Sequence, residues 1–279
     1  MGAFKNFEKL ESRYIFTGAL VLKEAMHIGS GEGDEDVDSL FVKSNKTAYI
    51  PGSSLRGSLR STVERIASSL GKDTCLLFDH NSHPSCVTVN QDKLKDIKDE
   101  SKILKILMTE GNLCDTCKVF GSTHFASKVK ITDLYPTNNI DKGNKRYGVG
   151  IDRDTETASQ GALFEIEVIE KGHCFDFELI AENLSGKEEW GLLCIGLYEM
   201  MRDKNDGGSF YVGAKSSAGL GKCQLTDLKI EYFDEGTEFT LRKYLLEDKR
   251  DKIEGNKAVE FVRCKIKKFL QPETEVTNA

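Results

Sequence analysis

Cys114-Asp115-Thr116-Cys117 constrains the fold of this chain more tightly than any other stretch of its sequence. Two thiolates at this spacing sit on a single turn of backbone and can bind one tetrahedral ion. Two further ligands are needed, and the upstream run CLLFDHNSHPSC offers Cys75, His80, His83 and Cys86. The expected site is a closed, structural Zn2+ centre of Cys75, Cys86, Cys114 and Cys117, with His83 or His80 as the substitute ligand. The surrounding residues, 72–122, carry little apolar material, so an ion would substitute for a core. They read as a zinc-binding insertion. A redox CxxC would open a helix within a thioredoxin-like pattern, and no such pattern is legible. Cys174, Cys194, Cys223 and Cys264 lie in apolar or strand-like segments and read as small core residues. With no export signal in the polar residues 1–13, eight Cys do not read as a disulfide scaffold.

Outside the insertion the hydrophobic period switches between two and 3.6. Residues 14–28 are β-branched and aromatic and predict a first strand. Residues 41–50 predict a weaker strand interrupted by Ser44-Asn45-Lys46. After the Pro51-Gly52 turn, Ser53 or Ser54 is expected to cap a helix. Its apolar positions are Leu55, Leu59, Val63, Ile66, Ala67 and Leu70, with Gly71 as its stop. A Lys/Asp-rich helix is expected over 94–108, a strand at Val129 and Ile131, and a polar loop over 136–148. Strands follow at 164–168 and 175–179. Ser185 then caps an apolar helix bearing Trp190, Leu193, Leu197 and Met200. A glycine-rich loop over 207–221, a strand over 225–232 and charged helices complete the chain. Strand, helix, strands, helix, strand is the order of an α+β, ferredoxin-like βαββαβ core. No run approaches the roughly 18 apolar residues of a membrane span, so no membrane partner and a cytoplasmic location are expected. Net charge is −6, which excludes a generally basic coat but not a local basic track.

Three polar motifs carry chemistry. In IPGSSLRG a turn delivers a helix N-terminus, whose free N–H groups favour an anion. Ser53 and Ser54 add hydroxyls there, and Arg56 and Arg60 share a face that can grip successive phosphates. Their rival reading is an ordinary capped helix with a solvated basic face. The loop GAKSSAGLGK, from Gly213 to Lys222, brings closely spaced glycines beside Lys215 and Lys222. It is not a P-loop, because no Ser or Thr follows the final Lys, so a nucleotide triphosphatase is disfavoured. The loop after His27 is acidic, with Asp34, Glu35, Asp36 and Asp38, and can hold a divalent cation or be merely solvated.

Read in order, these pieces resemble the RAMP superfamily, the backbone subunits of type III CRISPR effector complexes. The resemblance rests on His27-Ile28-Gly29, Val37-Asp38-Ser39, IPGSSLRG with its following Leu59-Arg60, CDTCKVFGS, SKVKITD, GVGIDRDTETA, GALFEIEVIEKG and GAKSSAGLGK. It covers most of residues 16–232 and is nearest to the single-domain subunits of the type III-D/III-E branch. It implies one RAMP domain over 1–279: an RRM-like palm, the zinc-binding insertion at 72–122, a thumb β-hairpin region at 140–172 and a C-terminal helical extension at 234–279. It implies stacking with copies of itself or paralogous subunits along a guide RNA, beside other effector subunits, and pairing of that guide with a target RNA. RNA contacts would fall on His27, Ser53, Ser54, Arg56, Arg60, Arg153, Lys215, Ser216 and Lys222. The family's catalytic Asp corresponds to Asp38, where Leu40 replaces the motif's Pro, and Asp36 is its rival. Cleavage would use Mg2+ or Mn2+ and act as a metal-dependent endoribonuclease.

Two other readings compete. In one, the chain holds guide and target and another subunit cuts. In the other, it processes guide precursors with His27 as general base. A zinc hydrolase is disfavoured, because an all-thiolate site leaves no open coordination position.

Overall fold

The computed structural model describes residues 7–33, 37–75, 85–107, 109, 113–203, 205 and 207–271. Asp36, His80 and His83 lie outside the described residues. In chain order the elements are β1 (Ser12–Leu22), the short strands β2 (Lys43–Ser44) and β3 (Thr47–Ala48), α1 (Gly52–Ser69), α2 (Cys86–Leu94), α3 (Glu100–Leu107), α4 (Asp115–Phe120), β4 (Val129–Ile131), β5 (Asn144–Ile151), β6 (Ala158–Val168), β7 (Cys174–Glu182), α5 (Gly186–Met201), β8 (Cys223–Asp234), α6 (Leu241–Glu247), β9 (Asp251–Glu254) and α7 (Asn256–Leu270).

The central sheet runs β4-β7-β1-β8-β9 with every pairing antiparallel. Helix α1 lies between β1 and β4 in the chain, and α5 between β7 and β8. This is the βαββαβ order read from the sequence, lengthened at one edge by β9. β1 sits at the centre because its side chains alternate: Tyr14, Phe16, Leu20 and Leu22 are all buried. Leu55, Leu59, Val63 and Ala67 of α1 and Leu193 and Leu197 of α5 join the same core. A buried ion pair ties the residue preceding β4 to α5, with Lys128 Nζ 2.8 Å from Glu189 Oε2. Glu189 also accepts the N–H of Ser185, so the start of α5 is closed by that carboxylate and not by the Ser185 side chain.

Several boundaries differ from expectation. β1 ends at Leu22 because the N–H groups of Lys23 and Glu24 turn away to the carbonyl of Lys222. The Ser44-Asn45-Lys46 interruption is a tight turn, with Asn45 and Lys46 both at positive φ. The last residues of the supposed loop 136–148 belong to β5, which pairs with β6 in a separate two-stranded hairpin. Of the Lys/Asp-rich helix expected over 94–108, α3 forms over Glu100–Leu107, and a separate helix, α2, precedes it and ends at Leu94. Cys194 and Cys223 are core residues, and burial pushes the Cys194 thiol up to about 12. Cys174 is half-buried and Cys264 exposed, so the core reading of Cys264 is corrected. Strand β9 carries alternating charge and was hidden by it; it pairs with β8 from Lys229 to Tyr232. Among the described residues no helix is long and apolar enough to cross a membrane.

Candidate functional site

The four sulfurs of Cys75, Cys86, Cys114 and Cys117 lie within 4.8 Å of one another. Cys75 Sγ is 3.5 Å from Cys117 Sγ and 3.6 Å from Cys114 Sγ. A tetrahedral ion with bonds of about 2.3 Å sets its sulfurs about 3.8 Å apart, so the cluster fits such an ion. Cys114 caps α4, its sulfur accepting the Cys117 N–H, while Cys86 Sγ accepts the Cys114 N–H. These bonds aim the sulfurs at a common point. Leu94, Leu107, Leu113 and Phe125 form a small apolar shell around them, separate from the main core.

The N-terminus of α1 departs from expectation. Neither Ser53 nor Ser54 caps it; the N-cap position is Pro51 and no side chain closes it from within. The Gly52 N–H instead donates to Asp133 Oδ1 at 2.8 Å. Ser54 and Leu55 donate to the Pro51 carbonyl. The anion position of this helix end is therefore held by the chain's own carboxylate, which weakens its claim on phosphate. Ser53 remains exposed and Ser54 half-buried. Arg60, expected to grip phosphate, is buried at 6% exposure. Its guanidinium donates to Glu64 Oε1 at 2.7 Å, to the Gly121 carbonyl at 2.8 Å and to Cys117 Sγ at 3.5 Å. Arg56 donates to the Phe120 carbonyl. Four thiolates around a divalent ion carry two excess negative charges, and Arg60 offsets one of them. Its role is to join α1 to the cysteine centre.

The remaining candidates gather at one end of the sheet. Leu22 of β1, Cys174 of β7 and Cys223 of β8 mark that end, with Val21 paired to Cys174 and Leu22 to Cys223. There the segment 25–28 is gripped on two sides. Met26 bridges Ile169 at the foot of the β5–β6 hairpin, and the His27 carbonyl accepts the Ala214 N–H from the glycine-rich loop. Gly213 must be glycine, because a Cβ there would strike the His27 carbonyl. His27 itself is buried at 4% exposure. Its Nδ1 lies 2.7 Å from the Glu167 carbonyl, and its Nε2 lies 3.2 Å from Ser39 Oγ. A carbonyl only accepts, so Nδ1 carries the proton, and in the neutral ring Nε2 accepts from the Ser39 hydroxyl. This leaves His27 no free lone pair for the general-base role.

Ser39 pairs with Ile166 in a parallel bridge, zipping residues 38–41 onto the outer edge of β6. Asp38 is exposed, and its Oδ2 accepts the Glu165 N–H at 2.7 Å. Arg153 is exposed at the turn between β5 and β6. Lys215, also exposed, sits at positive φ and places Nζ 3.6 Å from the centre of the Phe164 ring. Ser216 opens a short 3-10 turn, and Lys222 is half-buried with its carbonyl held by the β1 end.

Sequence reasoning missed Ser39, Phe164 and Glu167. Glu167 carries the junction. Its carboxylate accepts the Phe41 N–H at 3.0 Å, the Gly143 N–H at 2.7 Å and Lys43 Nζ at 2.7 Å. Burial alone would push this carboxyl up, but those three donors outweigh it and hold the group below the ordinary carboxylate range. Such a group stabilises the fold above its unfolded pKa, and that contribution is lost as pH falls through the lower folded value. Glu167→Gln should cost roughly 2 kcal/mol at pH 7, since buried N–H groups lose their charged acceptor. The deficit should shrink as pH falls through that folded value. Denaturant titrations at pH 7 and across the acid range check it, and a deficit that does not change with pH would refute the assignment. No sequence signal marks Glu167, because alternation in FEIEV predicts it on a solvated face.

A family model described as the RAMP superfamily matches residues 20–224. A CRISPR system Cms endoribonuclease Csm3 from Methanothermobacter thermautotrophicus is 20% identical over 255 residues, covering 80% of this chain and 87% of that relative. Its counterpart of the same name from Methanocaldococcus jannaschii is 24% identical over 249 residues, covering 82% of this chain and 86% of that relative. The matched span contains His27, Asp38, all four clustered cysteines, the β5–β6 hairpin and Lys222.

Proposed function

This chain belongs to the RAMP superfamily, and we propose that it is a guide-RNA-binding backbone subunit of a type III CRISPR effector that cuts complementary target RNA, on the III-D/III-E side of the family. The observation that carries the proposal is the solvent-exposed Asp38 carboxylate, oriented by the Glu165 N–H on the edge of a projecting hairpin. The RNA 2′-hydroxyl is the nucleophile once the backbone is kinked into line. Asp38 takes its proton, and the products carry a 2′,3′-cyclic phosphate and a 5′-hydroxyl. The hairpin supplies the kink. Its free part carries exposed Tyr147, Val149, Ile151 and Leu163. In strand register the three β5 residues alternate onto one face with Leu163, which pairs with Val149. An apolar face of this kind suits insertion between stacked bases. Residues 140–172 thus serve as the thumb, with Arg153 at its tip.

RNA backbone contacts are assigned to Ser53, Ser54, Arg56, Lys215, Ser216 and Lys222; Arg60 and His27 support the interface from behind. Residues 72–122 hold structural Zn2+ through Cys75, Cys86, Cys114 and Cys117. Among the described residues this is the only group of three or more ligating side chains close enough for one ion. A hard divalent cation would be held at this edge by the Asp38 carboxylate. When bound, Mg2+ or Mn2+ would offset the charge that grows on the phosphate.

The test is reconstitution. The full chain, assembled with guide RNA and its partner subunits, should cut an end-labelled complementary RNA at regularly spaced sites and leave cyclic phosphate ends. RNA should co-purify with the assembly, and its affinity should fall steeply with salt and depend little on sequence. Cutting of hairpin guide precursors by the isolated chain would favour the processing reading instead.

A further inference from the structure

Phe164 has a role that neither the proposed reading nor the relatives' names assign. It lies directly opposite Gly148 in the β5–β6 ladder. A Cβ at Gly148 would run into the Phe164 ring, so the ring packs over bare backbone there. Lys215 Nζ stands 3.6 Å from the ring centre.

Nothing else about Lys215 suggests a fixed side chain. It is an exposed lysine on a glycine-rich loop, and such residues ordinarily sample many rotamers in water. Here its backbone is locked as well. Lys215 adopts φ 58° and ψ 34°, the left-handed region that costs a residue with a Cβ. The loop carrying it is pinned on both sides, by the Ala214 N–H on the His27 carbonyl and the Gly221 N–H on the Ala25 carbonyl. The same His27 holds Ser39, the neighbour of Asp38. Asp38 in turn is bound to the N–H of Glu165, the residue next to Phe164. A cation and a carboxylate from two distant loops are thus attached to consecutive residues of β6, one through a ring face and one through a backbone N–H.

We propose that Phe164 is a positioning residue for RNA cleavage: its ring holds the Lys215 ammonium beside Asp38, as a fixed cation for the phosphate being cut. The inference rests on the RNA-cleaving reading above. In the step, the 2′-oxygen forms a new bond to phosphorus and its proton passes to Asp38. The bond from phosphorus to the 5′-oxygen breaks, and that oxygen takes a proton from solvent. The ammonium keeps its protons throughout and offsets the extra negative charge on the non-bridging oxygens. A cation already in place needs no reorganisation as that charge develops. Gly148 matters for the same reason, since any side chain there would tilt the ring and release the lysine.

The experiment is single-turnover cleavage of a complementary RNA by the reconstituted complex in excess. Variants are Phe164→Leu, Phe164→Trp, Lys215→Met, the double variant Phe164→Leu/Lys215→Met, and Asp38→Ala. Lys215→Met should slow cutting about tenfold or more. Phe164→Leu should slow it about fivefold with target affinity unchanged within twofold, and Phe164→Trp should restore the rate, since indole is the stronger cation partner. The double variant should be no slower than Lys215→Met alone, because both changes remove one interaction. Effects that multiply in the double variant would place Phe164 in some other role and overturn the proposal. So would wild-type cutting by Lys215→Met, an exposed substitution with no folding consequence. If Asp38→Ala is dead while Phe164→Leu cuts normally, the proposal alone fails. If Asp38→Ala cuts normally, the assignment of Asp38 as the carboxylate fails and takes the proposal with it.

Discussion

Asp38→Ala should leave guide and target binding intact, or slightly tighter, while cutting at the sites this subunit faces falls by at least two orders of magnitude. A carboxylate beside phosphates is unfavourable for binding alone, so removing it costs no affinity. Its chemistry is what disappears: no other described side chain is held at that edge of β6 by a backbone N–H from Glu165. Removal of a general base typically costs about 10²–10⁴ in rate. Chelation of divalent metal should silence the wild type in the same way. Asp36→Ala is the control and should cut nearly normally. Should Asp36→Ala be dead and Asp38→Ala active, the assignment moves two residues along the loop. Normal cutting by both, in a complex where this is the sole candidate subunit, would leave the protein as an inert scaffold for guide and target. Asn is the informative partner substitution: Asp38→Asn keeps the size and can still accept the Glu165 N–H, yet cannot take a proton, so it too should be inactive.

Loss of the cysteine centre is the second large effect. Cys114→Ser with Cys117→Ser should abolish zinc content, expected at about one ion per chain, and unfold the segment from 72 to 122. The shell of Leu94, Leu107, Leu113 and Phe125 is too small to hold this segment alone. Structural zinc contributes roughly 10 kcal/mol or more to such folds, so little native structure should survive without it. The damage should spread. Arg60 loses its partner at Cys117, and its bonds to the Gly121 carbonyl and Glu64 then hold a buried cation with less compensation. The α1 start should loosen with it and RNA affinity should fall, although no mutated residue touches RNA. Metal analysis, limited proteolysis within 72–122 and a thermal melt check this. Protein purified without chelator that contains no zinc would end the assignment.

Much of the architecture was legible in the residues because local rules and the fold agree. The helical spacing of Leu55, Leu59, Val63 and Ala67 and the alternation of β1 each reflect burial on one face, which is a property of the stretch itself. The CxxC and its two upstream cysteines were legible because metal ligation tolerates few other residue types. The family pattern around Asp38 was legible as an ordered set of motifs. Other features depend on what arrives from elsewhere in the chain. Asp133 occupies the N-terminus of α1 from the segment just after β4, 81 residues later, so the expected serine caps and the free anion site gave way. Arg56 and Arg60 do share a helix face, as their spacing required, but that face meets the end of α4, where Arg60 is buried and only Arg56 stays partly exposed. Glu167 looks like a surface residue of a strand and is buried because residues 38–41 zip onto that edge of β6. Phe164 gains its partners from Gly148 across the hairpin and Lys215 from the distant loop. The sequence by itself determined the main strands and helices of the core, their order and the four cysteines that cluster, since each is set by spacing within a segment. Only the tertiary structure decided which charged groups stay exposed and which are consumed in joining segments, because a charge is neutralised by whatever neighbour folding brings to it, at any distance along the chain.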